Sequence, residues 1–248
     1  MLHRRHAEIL RILDAEGTVS NARLASALGV SAETVRRDVR ALADGGTVMR
    51  LHGGVGLAGQ GGEAPFRARM RENAGAKQAI ALAFAATVQN GESLMLDTGT
   101  TTSFVARALV RHRRLTVVTN STDAARTLAG GEGNRVFLAG GMVRPDSGAV
   151  LGAEALRFVQ GFSVAHAVIS AGGLDAGEIT DFDPEEADFA RAVLDRGTRR
   201  VVVTDATKFG RRGLVSVARL DTLELLVTDA PPPPRVAGAA GGCRVLLA

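Results

Sequence analysis

The segment 97–103 has the sequence Asp-Thr-Gly-Thr-Thr-Thr-Ser and could bind a phosphate group. Backbone N–H groups at the start of a helix, a glycine that permits close approach and several hydroxyls together form a typical anion-binding loop. The alternative interpretation is a simple helix cap, which needs only one of these hydroxyls. Because the carboxylate of Asp97 would repel a phosphate, we expect it to accept hydrogen bonds from hydroxyl groups of the ligand.

A cation that could complete this site is Lys208, in the sequence Asp205-Ala-Thr-Lys208. Of the 30 Lys and Arg residues, only Lys77 and Lys208 are Lys, which leaves 28 Arg. Where a composition favours Arg so strongly, a retained Lys indicates a need for a compact ammonium group. We therefore predict that Lys208 contacts an anion, with an ordinary surface lysine as the alternative. For Lys77 we expect a solvated helix face.

Small residues follow three other apolar runs, and their backbone could line the same crevice. Taken singly, each is an ordinary strand-to-helix turn, which is the alternative interpretation. The three sequences are Thr119-Asn120-Ser121, Ala139-Gly140-Gly141 and Ser170-Ala171-Gly172-Gly173. The complete predicted ligand-binding set is Asp97, Thr98, Gly99, Thr100, Thr101, Thr102, Asn120, Gly140, Gly141, Gly172, Gly173 and Lys208.

Six short apolar runs must position these residues. They alternate with helical segments and are almost continuously apolar, as strands buried on both faces are. The pattern predicts an α/β domain with a parallel sheet, whose ligands bind beyond the carboxyl ends of the strands. No G-x-G-x-x-G follows the first run, which argues against a dinucleotide site. The runs are Ser93–Leu96, Leu115–Thr119, Val136–Ala139, Ala167–Ser170, Val201–Thr204 and Leu223–Thr228.

A second group of candidate binding residues lies near the N-terminus. Val35, Val39 and Leu42 predict the buried stripe of a helix, and at about 100° per residue four charged side chains cluster opposite it. Their arginines could donate to guanine O6 and N7 or to phosphates, and the sequence leaves open which does which. A merely solvated face is the alternative. The four residues are Glu33, Arg36, Arg37 and Arg40.

The predicted helices and helix caps of residues 3–52 follow the order of a winged helix-turn-helix. This is the first of the two parts of the predicted fold. A helix over residues 3–15 precedes one capped by Ser20 and, after a turn at Gly29-Val30, one capped by Ser31. A short strand over 47–52 predicts a wing. We expect Asp38 to pair with a neighbouring Arg. The predicted contacts with double-stranded DNA are Ser20, Ser31, Glu33, Thr34, Arg36, Arg37, Arg40, Arg50 and His52.

The chain divides into three predicted regions: a winged helix-turn-helix over residues 1–57, a linker over 58–74, and a ligand-binding and oligomerisation domain over 75–248. The segment 56–62 is glycine-rich and lacks apolar periodicity, as flexible joints do. Apolar spacing predicts a connecting helix over 65–90, which could pack against a second subunit.

Composition bounds the function classes. The longest apolar run, Ala79–Val88, is too short to span a bilayer. Charges at Glu8 and Arg11 interrupt any signal-peptide core, so we expect a cytoplasmic protein that does not bind membranes. The single cysteine, Cys243, excludes an internal disulfide and has no companion for a metal site. We expect neither a cofactor nor a metal.

The sequence Ser31–Val39 resembles the signature of the DeoR family of bacterial transcription regulators, and 51–54, Leu-His-Gly-Gly, resembles its wing. The likeness continues at 97–102, 118–121, Gly140-Gly141 and 205–208. It implies an effector domain similar in fold to ribose-5-phosphate isomerase that senses phosphorylated sugars or polyols. Three stretches are similar to the family branch that responds to glycerol 3-phosphate: 180–186, 208–215 and 227–233.

The function implied is a repressor that a small phosphorylated effector releases from its operator, acting as a homo-oligomer, either a dimer or a tetramer. An activator of the same architecture is one alternative. A phosphosugar isomerase is the other, with Glu185, Glu186 and Asp205 as candidate carboxylates. Because Glu185 and Glu186 follow Pro184 at the start of a helix, favourable interaction with the helix dipole explains them better. We therefore expect no enzymatic activity.

Overall fold

The computed structural model describes residues 2–16, 19–45, 47–51, 54–57 and 63–248. The chain divides into two compact units, Met1–Ala64 and Pro65–Ala248. Residues 65–74, which the sequence assigned to the linker, lie in the second unit. Residues 58–62 of that predicted linker are outside the described residues. Within the described part of the chain, no helix is long and apolar enough to cross a membrane.

The first unit contains three helices and a hairpin, as predicted for a winged helix-turn-helix. Ser20 and Ser31 are the predicted caps, and each side chain accepts a hydrogen bond from a backbone N–H of the first helical turn. Val19 pairs with Val55 of the hairpin. The elements are α1 (Leu2–Glu16), α2 (Asn21–Leu28), α3 (Ala32–Asp44), β1 (Val48–Leu51) and β2 (Gly54–Leu57).

The second unit begins with two short helices, α4 (Phe66–Arg69) and α5 (Ala74–Ala85). The prediction of one helix over 65–90 is therefore wrong. Asn73 adopts a left-handed conformation with φ of 50°, which interrupts the helical path between them. The expectation of a solvated Lys77 is also wrong, because Lys77 is 3% exposed. Its ammonium donates to the carbonyl oxygens of Arg69, the last residue of α4, and of Glu72, which lies between the two helices.

The remaining elements alternate between strand and helix. The strands are β3 (Ser93–Leu96), β4 (Thr116–Thr119), β5 (Arg135–Leu138), β6 (Val164–Ser170), β7 (Gly173–Asp175), β8 (Glu178–Asp181), β9 (Gly197–Val203), β10 (Val215–Arg219), β11 (Leu225–Thr228) and β12 (Arg244–Leu247). The helices are α6 (Thr100–Ala108), α7 (Thr122–Ala129), α8 (Ala153–Gln160), α9 (Pro184–Leu194) and α10 (Pro234–Ala237).

Seven strands within residues 63–248 form one sheet in the order β12-β11-β9-β6-β3-β4-β5, and all neighbouring pairs are parallel. Helices cover both faces. Alternate residues of β3 belong to different cores, with Met95 on the face of α8 and α9 and Leu94 and Leu96 on the face of α5 and α6. The predicted fold class, a winged helix-turn-helix followed by a parallel α/β sheet, is confirmed.

All six predicted apolar runs are strands, but three features differ from the prediction. The parallel sheet has a seventh strand, β12, that no predicted run covers. β5 is an edge strand rather than a buried one, because Phe137 and Leu138 remain 37% and 40% exposed. A separate antiparallel sheet, β10-β8-β7, is formed by short segments without a continuous apolar run. This small sheet lies beyond the carboxyl end of β6, beside the predicted ligand crevice.

Candidate functional site

The crevice lies at the point in the sheet where the strand order reverses. From β3 the chain continues to β4 and β5 on one side of the sheet, and it returns to β6 on the other side. The loops after β3 and β6 therefore diverge, and ligands of open parallel sheets bind in the opening between them. Asp97 follows β3 directly, and Ser170 is the last residue of β6.

Asp97 bridges this opening. One carboxylate oxygen, Oδ2, accepts a hydrogen bond of 2.9 Å from the backbone N–H of Ser170. The other, Oδ1, is buried and has no hydrogen-bond partner among the described residues. Burial, together with the charge of Asp181, raises the pKa of Asp97 to about 7. The unpaired oxygen is an acceptor positioned for a donor on a ligand.

The loop after Asp97 is shaped by close packing. A Cβ atom added to Gly99 would lie 1.9 Å from the hydroxyl oxygen of Ser170, so only glycine fits there. The first hydrogen bond within α6 joins the N–H of Ser103 to the carbonyl of Gly99 at 2.9 Å. The N–H groups of Thr100, Thr101 and Thr102 thus precede the regular ladder and are suited to an anion.

The hydroxyls of this loop have different roles. Thr102 donates within the loop, to carbonyl oxygens of Asp97 and Gly99, and accepts from the N–H of Gly99 at 2.9 Å. It therefore stabilises the loop's conformation. Within the described residues, the buried hydroxyl of Ser103 has no hydrogen-bond partner. Ser103 was not among the predicted site residues, although its place in the hydroxyl run was visible in the sequence.

Asn120 connects the loops after β3 and β4. Its side-chain oxygen accepts a 2.9 Å hydrogen bond from the hydroxyl of Thr98, and its amide donates to the carbonyl of Val150 at 3.1 Å. Asn120 is 1% exposed. The structure therefore brings Thr98 and Asn120 together as predicted, with the Asn120 side chain holding the loops in place.

The predicted glycines occupy two different places. Gly172 and Gly173 are buried against the small sheet, where an added Cβ would lie 3.1 Å from the carbonyl oxygen of Thr180 and 2.4 Å from that of Arg211, respectively. Gly140 and Gly141 follow the edge strand β5, two strands away from β3, in an exposed depression beside α8. The first pair serves close packing next to the crevice, and the second pair follows the strand at the edge of the sheet.

Lys208 ends a 3₁₀ turn, Ala206–Lys208, that follows β9. Asp205 fixes this turn by accepting from the N–H of Thr207, and it also accepts from the side-chain amide of Asn73 at 3.3 Å. Burial lowers the pKa of Lys77, and the nearby charge of Lys208 acts in the same direction. The two lysines of the sequence thus lie within electrostatic range of each other at this end of the sheet.

The sequence reasoning missed an arginine. Arg144 donates to Asp183 at 2.8 Å and to Glu186 at 3.3 Å, and it also pairs with Glu185. Burial opposes ionisation of Asp183, but the hydrogen bond and charge of Arg144, together with the backbone N–H groups of Glu185 and Glu186, outweigh it and lower the pKa of Asp183. The partners are 39 to 42 residues apart, so no local pattern connects them.

Glu186 contributes a second, partly buried carboxyl group beside the crevice. Burial and the charge of Asp181 raise the pKa of Glu186 to about 8, whereas Arg69 and Arg144 favour its ionised form. Asp181 also raises the pKa of Asp97. Asp97, Asp181 and Glu186 are therefore electrostatically linked along one side of the site.

The arginine face of α3 is as the sequence predicts. Arg36, Arg37 and Arg40 are exposed, and the guanidinium of Arg36 lies 2.7 Å from the carboxylate of Glu33. The hydroxyls of Ser31 and Thr34 lie 2.9 Å apart at the start of the helix. Arg50 lies in β1, but its side chain and all of His52 lie outside the described residues.

Asp38, on the opposite side of α3, is 1% exposed. It pairs with Arg5 of α1, whose Nη2 donates at 2.9 Å, and His6 lies 3.6 Å away. The hydrogen bond from Arg5 holds the pKa of Asp38 below its usual range. The predicted ion pair is present, and its partner belongs to another helix.

Two units of this kind, one with an exposed arginine-bearing helix-turn-helix and one with a polar crevice, define a DNA-binding transcription regulator with its own sensor domain. Sequence profiles match both units: the DeoR-like helix-turn-helix domain over residues 5–60 and the DeoR C terminal sensor domain over residues 72–230. The chain belongs to the DeoR family of transcription regulators.

Relatives match along nearly the whole chain. The glycerol-3-phosphate regulon repressor of Escherichia coli is 34% identical over 230 residues, which cover 92% of this chain and 91% of that protein. Its namesake in Haemophilus influenzae is 32% identical over 92% of this chain and 89% of its own. The E. coli transcriptional repressor CsqR is 32% identical over 92% and 88%, respectively.

A solved structure, ribose 5-phosphate isomerase A from Methanocaldococcus jannaschii, is similar over 56% of this chain and 55% of its own. The sequence identity is 16% and the TM-score is 0.40. These values indicate no more than a distant likeness of fold.

Proposed function

We propose that this protein represses transcription by binding operator DNA and that a small phosphorylated sugar or polyol, foremost glycerol 3-phosphate, releases it. The observation that carries this proposal is the buried carboxylate oxygen of Asp97, just before α6, which has no hydrogen-bond partner in the part of the chain that the structure describes. It lies in a sensor domain whose relatives over most of the chain are named glycerol-3-phosphate regulon repressors.

The phosphate of the effector binds at the N-terminus of α6, where Thr100, Thr101 and Thr102 present N–H groups that precede the helical ladder. Hydroxyl groups on the effector's carbons donate to Asp97. Lys208, in the 3₁₀ turn that follows β9, supplies positive charge. A compound with a phosphate at one end and hydroxyls at the other satisfies both halves of this site.

The DNA-binding unit contacts the operator through α3, with Arg36, Arg37 and Arg40 facing the duplex and Arg50 and His52 on the wing. One such reading surface is small, so the protein acts as a homo-oligomer, a dimer or a tetramer, on half-sites about 34–36 Å apart or a multiple of this. An effector that changes this spacing weakens operator binding. The typical coupling free energy between two such sites is about 1–3 kcal/mol, which corresponds to a roughly 5–150-fold loss of operator affinity. Because its proposed target is chromosomal DNA, we place the protein in the cytoplasm.

The test is fluorescence anisotropy of the full chain on the DNA upstream of its own gene, at fixed salt, during titration with phosphorylated sugars and polyols. Glycerol 3-phosphate is expected to release the DNA at the lowest concentration. Lys208→Ala should raise that concentration about tenfold, whereas Lys208→Arg, which keeps the charge, should raise it less. Release by another sugar phosphate but not by glycerol 3-phosphate would overturn the effector assignment.

Repression and activation differ in where the operator lies relative to the promoter. Expression of a reporter from the protein's own upstream region should therefore rise when the regulator is deleted. A fall on deletion would identify an activator.

We propose no enzymatic activity. The carboxyl groups of an isomerase would have to reach a carbon-bound proton of the substrate within about 3 Å. Glu185 and Glu186 instead pair with Arg144 at the start of α9. Turnover of ribose 5-phosphate by the purified protein, abolished by Glu185→Gln, would contradict this.

A further inference from the structure

We propose that α4 relays effector occupancy from the crevice to the DNA-binding unit, through a ring of contacts that includes the hydrogen bond between Asp146 and Phe66. This inference rests on the proposed function, because it assigns the route by which an effector acts on operator binding. α4 is the first helix after the boundary between the two units, which falls between Ala64 and Pro65.

The first contact of the ring holds the beginning of α4. The carboxylate of Asp146 accepts a 2.7 Å hydrogen bond from the backbone N–H of Phe66. Asp146 belongs to a short hairpin, 143–150, closed by pairing of Val143 with Val150 and by two hydrogen bonds of Arg144, whose N–H donates to the carbonyl of Ala149 and whose carbonyl accepts from the N–H of Gly148. The hairpin is anchored to the crevice because the N–H of Val150 donates to the carbonyl of Asn120.

The second contact joins the same hairpin to α9. Arg144, two residues before Asp146, binds Asp183 and Glu186 at the start of that helix. Displacement of these carboxylates therefore moves the hairpin, and with it the acceptor that holds Phe66.

The third contact closes the ring at the end of α4. Arg69 interacts electrostatically with Glu186, and its guanidinium lies 5.7 Å from the ring centre of Phe66. The carbonyl of Arg69 also accepts from the buried ammonium of Lys77. Both ends of α4 are thus tied to groups at the crevice.

The ring of contacts responds to a ligand because Glu186, one of its members, interacts electrostatically with Asp181 near the ligand site. Asp181 acts on Glu186 and on Asp97, the residue that we expect to bind effector hydroxyls. An effector that donates hydrogen bonds to Asp97 and brings a phosphate into the site changes the potential at Asp181 and Glu186. The strengths of the Glu186 interactions with Arg69 and with Arg144 then change. Because Arg69 belongs to α4, the position of α4 changes as well. Coupling of this kind requires an element with two arrangements that both sites bias.

The experiment measures coupling separately from binding, in the full-length protein. Asp146→Ala removes the acceptor for Phe66, and Asp146→Asn keeps one. Asp188→Ala is the matched control, because Asp188 is an exposed carboxylate of α9 that pairs with Arg191. For each variant, calorimetry gives the Kd for glycerol 3-phosphate, and anisotropy gives the operator Kd without and with saturating glycerol 3-phosphate.

We expect Asp146→Ala to bind glycerol 3-phosphate and operator, each alone, within about threefold of the wild type, while its effector-induced loss of operator affinity falls below about threefold. Asp146→Asn and Asp188→Ala should keep most of the wild-type loss.

If Asp146→Ala responds as fully as the wild type, the relay is overturned and the proposed function stands. If the wild type binds operator but neither binds nor responds to glycerol 3-phosphate, the effector assignment fails and the relay with it. If Asp146→Ala cannot bind operator, Asp146→Asn decides, because its amide oxygen is a weaker acceptor than a carboxylate: an effector-induced loss of operator affinity smaller than that of the wild type supports the relay, and an undiminished loss overturns it.

Discussion

At the scale of single residues, the chemistry of this protein lies in buried polar groups with incomplete partners. Asp97 has one carboxylate oxygen bonded to the N–H of Ser170 and one without a hydrogen-bond partner among the described residues. Lys77 is buried against backbone carbonyls near Lys208. Burial of such groups costs stability, so we expect that they are retained to recognise a ligand.

The raised pKa of Asp97 predicts a pH-dependent stability. In the folded protein the pKa is about 7, against an ordinary value of 3.8, so folding favours the protonated carboxyl. Its contribution to stability is complete below about pH 4 and is lost as the pH rises through 7. Asp97→Asn cannot ionise, so its Tm should fall less than that of the wild type between pH 5 and pH 8 in scanning calorimetry.

Asp188→Asn, an equivalent change at an exposed carboxylate of α9, is the control for this comparison and should keep the wild-type profile. Parallel Tm profiles for Asp97→Asn and the wild type would show that the Asp97 carboxyl does not titrate in this range.

Arg37 has a clear expected role in DNA binding, because it is exposed on α3 beside Arg36 and Arg40. Arg37→Ala should weaken operator binding by about 1–3 kcal/mol, roughly 5–150-fold, if its guanidinium contacts a base. Glycerol 3-phosphate binding should not change. Anisotropy over a range of salt concentrations measures both the affinity and the salt slope.

The matched control is Arg113→Ala, which removes an exposed arginine from the sensor unit, where it pairs with Glu132. Equal operator affinities for Arg37→Ala and Arg113→Ala would exclude Arg37 from the DNA interface.

At the scale of elements, α3 and α4 are held by long-range polar contacts rather than by propensity alone. α3 is tied to α1 by the pairing of Asp38 with Arg5, 33 residues apart. α4 has only four residues and depends on Asp146 and Lys77 for its position. Isolated helices this short are not stable, so these contacts decide whether the element forms.

Arg5→Ala should therefore destabilise the DNA-binding unit. It leaves the carboxylate of Asp38 buried without its principal donor, which is more costly than the loss of an exposed pair. We expect faster amide hydrogen exchange in α1 and α3 and weaker operator binding, with exchange in residues 65–248 unchanged.

Arg11→Ala on the same helix is the control, because Arg11 and Glu8 form an exposed i,i+3 pair. If both variants exchange at the same rate in α3, the Arg5–Asp38 pair does not hold the helix in place.

At the scale of the whole molecule, the chain has two compact units, and each serves one half of the proposed function. A single helix-turn-helix offers few base contacts, so useful affinity requires two heads on one operator. We therefore propose that the unit with the ligand crevice also brings the heads together and so controls binding.

Operator affinity should accordingly depend on having two half-sites. A duplex with one half-site should bind at least about 100-fold more weakly than the full operator, because avidity is lost. Anisotropy on the two duplexes gives this ratio, and sedimentation of the free protein gives the size of the oligomer. Equal affinities would show that each head binds alone.

Most of the fold was predictable because its signals are local. Ser20 and Ser31 cap the helices that they precede, and each of the six apolar runs predicted as strands is a strand of the parallel sheet. The small antiparallel sheet was not predictable, since its short strands carry no apolar run and pair only where β6 ends. The break at Asn73 was missed because apolar spacing continues across it.

The sequence by itself determined the class of protein, the arginine face of α3 and the hydroxyl-rich loop after β3, because residue type and short-range spacing suffice for these. Only the tertiary structure decided that Oδ1 of Asp97 has no hydrogen-bond partner among the described residues, that Lys77 is buried, and that Gly140 follows an edge strand. It also brought Arg144 to Glu186 and Asp146 to Phe66, across 42 and 80 residues. The burial and pairing of these side chains depend on which distant segments the strand order places side by side. The local spacing of residues in the sequence does not determine that order.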